Sequence, residues 1–171
     1  MRDVLGAFTA ACAAADDTAA NLAEAAASGW QRLPADADEP VSRLARQGER
    51  ALKTEGLAVT TVPGGEFRKV VAGRELHLAI SGARLDGATA RSCRVYDFLA
   101  PRAPTADELE QWAGRRPESA LAHRGATKFT WSPGLKPGHA DMQAIYVEPG
   151  SRPVPGFEIG GLALIASALE F

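Results

Sequence analysis

Few residues in this chain are of types and spacings that suggest chemistry, and the two cysteines come first. Cys12 and Cys93 lie too far apart for a CxxC redox motif or a local zinc knuckle. Two thiols alone do not make the four-ligand set of a structural zinc site. Two readings remain. A disulfide between them would close a long loop and stabilise the fold by roughly 4–5 kcal/mol on a loop-entropy model. Alternatively both are buried free thiols, since free cysteine is among the most buried residue types. The even count leans toward a bond. Neither cysteine has a histidine near it in sequence, so neither reads as a nucleophile.

The histidines and aromatics form the second set. His139-Ala140-Asp141 has a spacing that metal sites use, in a loop bounded by glycines. His123 supplies a third ligand if the strands that follow it pair. A metal-assisted hydrolase would use His123, His139 and Asp141 in this way, with one coordination position open. The plainer reading is a loop histidine beside a turn-stabilising aspartate. His77 alternates with Leu76 and Leu78, which turns it away from the core toward solvent or a partner. Tyr96 and Phe98 share one strand face with Arg94, and Phe129 and Trp131 share one face of a later strand. If helices leave these uncovered, they join His139 and Asp141 in a binding surface. If not, they are core. No G-x-S-x-G elbow, Walker loop or G-x-G-x-x-G occurs, so no cofactor is expected.

Totals exclude several classes. Apolar residues make up 46% and charged residues 23% of 171, which are ordinary globular values. Lys plus Arg number 19 and Asp plus Glu 21, a net charge of −2. Nothing there draws the chain to nucleic acid or an anionic membrane, and Arg115, Arg116 and Arg124 read as a solvated face. The most apolar stretch, Leu162 to Leu169, is far shorter than the ~20 residues of a membrane-spanning helix. Asp3, directly after Arg2, spoils a signal peptide, and Asp3 and Thr9 weaken a lipoprotein box ending at Cys12. A mature secreted chain with Met1 added fits better.

The elements that position these residues follow from periodicity. Leu5, Phe8 and Cys12 fall on one helical face. Asp16-Asp17-Thr18 offers caps for a second helix, which stops at Gly29 with Trp30 folding back on its last turn. Pro40 opens a third helix with Val41, Leu44 and Ala45 in its apolar stripe, ending at Gly56. From there the period becomes two. Leu57 to Val62, Phe67 to Val71, Leu76 to Ser81 and Ala90 to Phe98 read as strands of an antiparallel meander, with turns at Pro63-Gly64-Gly65 and Leu85-Asp86-Gly87. Thr105-Ala106-Asp107-Glu108 is a capping box that starts a helix carrying Leu109 and Trp112. Ala126 to Trp131 and Gln143 to Val147 are further strands; Leu162 to Leu169 is open between a buried strand and a helix, its short length and the preceding Gly160-Gly161 favouring strand. The loops Ser132 to Asp141 and Pro149 to Gly156 are the expected contact surface.

This order predicts one α+β domain over residues 1–171. Residues 1–55 form a helical cover, the helical N-terminal third. Residues 56–171 form an antiparallel sheet of five to seven strands with one inserted helix and one face covered by helices. Phe8 to Cys12, Gly29-Trp30, Cys93-Arg94-Val95-Tyr96 and the Leu109, Trp112, Gly114 helix together resemble small secreted α-proteobacterial proteins of unknown function. That resemblance implies a periplasmic location and a Cys12–Cys93 bond, and carries no activity. The expected function is a non-enzymatic binding or accessory protein of the bacterial envelope, its partner a protein or a small apolar ligand. An apolar-ligand carrier and a cytoplasmic protein are the alternatives, the latter if the thiols are free.

Overall fold

Residues 1–54, 59–85, 87–151 and 160–171 are described by a computed structural model. Helices α1 (Arg2–Ala11) and α2 (Thr18–Ala27) come first, then strand β1 (Gln31–Arg32) and helix α3 (Pro40–Thr54). Strands β2 (Thr60–Val71), β3 (Arg74–Leu85) and β4 (Ala88–Asp97) lead to helix α4 (Ala106–Ala113). Strands β5 (Ser119–His123), β6 (Ala126–Trp131), β7 (Asp141–Val147) and β8 (Gly161–Glu170) complete the chain. Gly56, Leu57, Asp86 and the far end of the Pro149–Gly156 loop fall outside the described residues.

All the described strands join one antiparallel sheet in the order β1-β2-β3-β4-β8-β7-β6-β5. It holds eight strands, not five to seven. The two extra ones are illegible by period. β1 has only two residues, and every residue of β5 is exposed, so it shows no apolar alternation. β1 also interrupts the helical N-terminal third. The Pro63-Gly64-Gly65 turn is instead an irregularity inside the single strand β2, where the register shifts between Val62 and Gly65. A Cβ on Gly64 would run into the Ile80 carbonyl, so glycine is what allows the two strands to close there.

Two meanders, β1 to β4 and β5 to β8, meet where β4 pairs with β8, from Thr89 opposite Glu170 to Asp97 opposite Leu162. One face of this seam carries Cys93, Val95, Leu164 and Ala166, all fully buried. α1 lays Val4, Leu5, Phe8 and Ala11 on that face. α4 closes the same core: Trp112 meets Phe8 with ring centroids 5.9 Å apart and Trp131 at 6.3 Å. The Trp112 indole donates to the Thr9 hydroxyl at 3.0 Å.

Local chemistry sets the helix ends. Asp17 caps α2 by accepting from the Ala20 amide at 3.0 Å. Gly29, with φ +79, ends it. The Trp30 amide then donates to the Ala25 carbonyl at 3.0 Å and Trp30 is buried, a Schellman closure. The α4 capping box is complete. Arg102 grips Glu108 at 2.6 Å. That guanidinium, followed by the Thr105 amide, holds the Glu108 carboxyl down at about 2.

Helices cover more than the one expected face. Val41 of α3 is buried with Ala79, Tyr96 and Ala163, and Leu44 packs beside them. These sheet residues alternate with Leu78, Val95 and Leu164, so α3 lies on the opposite face from α1 and α4. The Ser42 hydroxyl donates to the Glu66 carboxylate and anchors this placement.

A polar residue with no periodic signal joins α1 to α2. Asn21 is buried; its amide donates to the Ala14 carbonyl at 2.7 Å and its oxygen accepts from the Ala14 amide at 3.3 Å. Asn21→Ala leaves both backbone groups without these partners. It lowers unfolding free energy by about 1–3 kcal/mol, read as an earlier urea midpoint at unchanged m-value.

Candidate functional site

The buried polar groups without hydrogen bonds locate the sites worth weighing. Among the described residues, both ring nitrogens of His77 and both of His139 are in this state. Such groups are costly to bury, so each needs a neighbour that compensates.

His139 is placed by the Ser132–Asp141 loop. A Cβ on Gly138 would strike the Asp16 carboxylate, so the loop lies directly against the α1–α2 connection. There the His139 ring is held near the Cys12 and Ala13 backbone and Asp16. Burial pushes its pKa below the ordinary histidine value, against the upward pull of that backbone and of Asp16. Asp141 starts β7 and accepts from the Gln143 side chain at 3.3 Å. His123 is exposed at the end of β5, paired with Ala126, which itself pairs with Val147 at the far end of β7. At ~3.4 Å per residue, the length of β7 alone separates His123 from Asp141 by roughly 20 Å. The chain therefore does not bring His123 together with His139 and Asp141.

The six residues read as a binding surface are also divided. Trp131 and Phe129 are buried in the core under α1 and α4. Tyr96 and Phe98 are on the opposite face, in the cluster under α3. His139 packs on the α1–α2 connection instead of projecting outward. Strand register causes this division: Phe129 pairs with Ala144 and Trp131 with Met142, both core residues, whereas Tyr96 pairs with His77.

His77 sits in a more pointed arrangement. It is 3% exposed and does not face solvent; Glu39, just before α3, lies beside it. Its neighbours across the sheet are Arg68 and Tyr96. Its ring stands edge-on to Phe98 at 5.3 Å, and Phe98 stacks flat on Tyr96 at 5.3 Å. Burial pushes the Tyr96 phenol up, with Arg94 pulling weakly the other way. Nε2 of His77 is 3.5 Å from a Glu39 oxygen and 3.8 Å from a Glu75 oxygen. Glu39 immediately precedes α3, and its other oxygen meets Arg68 at 3.4 Å. Two carboxylates and an imidazole nitrogen thus converge on one point.

Two of the three members had a sequence signal. Glu75-Leu76-His77 is an i, i+2 pair on one face of an evident strand. Glu39 had none, because only the docking of α3 brings it to β3.

Cys12 and Cys93 stand with their sulfurs at bonding distance, Cα atoms 5.4 Å apart, buried between α1 and β4. No helix among the described residues is long and apolar enough to cross a membrane. No family model matches this chain, and neither a curated protein nor a solved structure matches it.

His139 sets a pH dependence. Unfolded, it takes up a proton at an ordinary 6.5, whereas the folded site resists protonation. Its contribution is therefore complete above 6.5 and is lost progressively as pH falls below it. Denaturant melts across this range should show His139→Phe losing less stability on acidification than the parent chain.

Proposed function

We propose that this chain is a non-enzymatic binding or accessory protein of the bacterial envelope, stapled by a Cys12–Cys93 disulfide. The observation that carries this reading is the placement of the two cysteines. Their sulfurs meet within bonding distance between a ten-residue helix and the central strand of the sheet. Disulfides of this structural kind persist in oxidising compartments and are rare in reducing cytosol. The resemblance to small secreted α-proteobacterial proteins points the same way.

The rival readings lack their required features. The hydrolase needs His123, His139 and Asp141 at one point, and the sheet separates them. The apolar-ligand carrier needs an apolar cavity between helices and sheet. That space is filled by Phe8, Trp112, Trp131 and Met142. Two depressions among the described residues are open grooves with Glu170 in both walls, joined by Arg84 in one and by Asp16 and Arg91 in the other.

Protein recovered from its native host is alkylated under denaturing conditions, with and without prior reduction, and weighed intact. The envelope reading expects no adduct without reductant and two with it. Two adducts without reductant would overturn both the staple and the location it supports. The same bond predicts that Cys12→Ala/Cys93→Ala is less stable by about 2–5 kcal/mol, measured by chemical denaturation.

A further inference from the structure

We propose that Glu39, Glu75 and His77 bind one divalent transition-metal ion of the zinc class. The inference is independent of the envelope reading. Donor atoms from these three residues lie within 4.8 Å of one another. Tetrahedral zinc at 2.0–2.2 Å from its ligands sets neighbouring donors roughly 3.3–3.6 Å apart. The 3.5 Å and 3.8 Å approaches of the carboxylates to Nε2 are already close to that spacing. The remaining separation, between the two carboxylates, is within 4.8 Å.

His77 gives the independent indication. An acidic pair alone is ordinary surface chemistry. Here a histidine whose side chain is 4% exposed aims an unbonded Nε2 at the space between the two carboxylates. Phe98 stands edge-on to the ring and is itself stacked on Tyr96. The two carboxylates bring two negative charges, of which the Arg68 guanidinium offsets one, and a divalent cation is attracted to the remainder. Arg68 engages one oxygen of Glu39, leaving the other turned to His77. Mixed nitrogen and oxygen donors favour zinc-like ions over calcium and magnesium, which take all-oxygen shells. Glu75 is half-exposed and provides the entry side. Three protein ligands leave a fourth position open. The ion would bind the start of α3 to β3 and so clamp the only described helix packed on that face.

The test uses untagged, disulfide-intact protein stripped with EDTA and dialysed. Zinc chloride is titrated calorimetrically at neutral pH, beside thermal melts. The expected result is one zinc per chain at micromolar affinity or better, with a higher melting temperature. Magnesium and calcium chloride at the same concentrations should do neither. His77→Gln and Glu75→Gln, each folded by circular dichroism, should weaken zinc binding beyond the ~10–100-fold cost of losing a mere outer-shell partner. Glu75 is half-exposed, so its variant keeps the test decisive if His77→Gln misfolds. The proposal is overturned if folded parent protein takes up no stoichiometric zinc. It is equally overturned if uptake survives Glu75→Gln or His77→Gln, which would assign the ion to other groups such as exposed His123. A parent that binds no zinc but is destabilised by both variants has His77 serving as a protonated partner of the two glutamates instead.

Discussion

The pairing of β4 with β8 is the interaction on which the rest of the architecture depends. Each meander alone is a four-stranded sheet with a raw edge; the seam turns both inner edges into the middle of one sheet. The deepest core lies on it, where Val95 faces Leu164 and Cys93 faces Ala166. β8 comes last in the chain, so the seam closes only when the two halves meet. That long-range step makes the fold one of high sequence separation, whose closure entropy precedes most of its contacts. A strand so placed is covered on both sides. β8 accordingly carries an apolar run, Leu162 to Ala166, where an edge strand would alternate.

The seam also explains the alanine-rich helices. α1 and α2 have ten residues each, too short to be stable alone in water. They persist because Ala11, Ala15 and Ala25 are fully buried and let backbone approach backbone, and because Phe8 supplies the bulk. Such contacts are individually modest. Point attachments therefore matter more than usual: the Asn21 clasp, the Asp17 cap, the indole of Trp112 on Thr9, and the cysteines directly over the seam.

The sequence made periodic features legible and spatial ones illegible. The helix faces of Leu5, Phe8 and Cys12, the α4 capping box and the alternation of Cys93 and Val95 follow local rules, and the structure shows them so. Leu162 to Leu169, open between strand and helix by its period, lies within β8. What failed was whatever needed the pairing order. β5 has no core face because it is an edge. The covering of the second face by α3 depends on where the Pro34–Glu39 linker crosses. The aromatics illustrate the limit well: alternation grouped Tyr96 with Phe98 and Phe129 with Trp131, but only the register across β8 and β7 sets the two pairs on opposite faces.

The two buried histidines show how context separates similar sequence signals. Both occur in an i, i+2 pattern with an acidic residue, Glu75 before His77 and Asp141 after His139. In the loop, the neighbouring backbone carries the chain away, Asp141 turns to Gln143, and burial pushes the His139 pKa down. On β3, the pleat holds Glu75 and His77 on one face, and α3 delivers Glu39 to the same point. The His139 imidazole, set against the Cys12 and Ala13 backbone with Asp16 and Lys136 nearby, is a packing element. The His77 imidazole lies against two carboxylates and the Phe98 ring, with Glu75 half-exposed, and that arrangement is what the proposed ion site rests on. The difference is created by strand geometry and by a helix entering from elsewhere in the chain, neither of which spacing alone reveals.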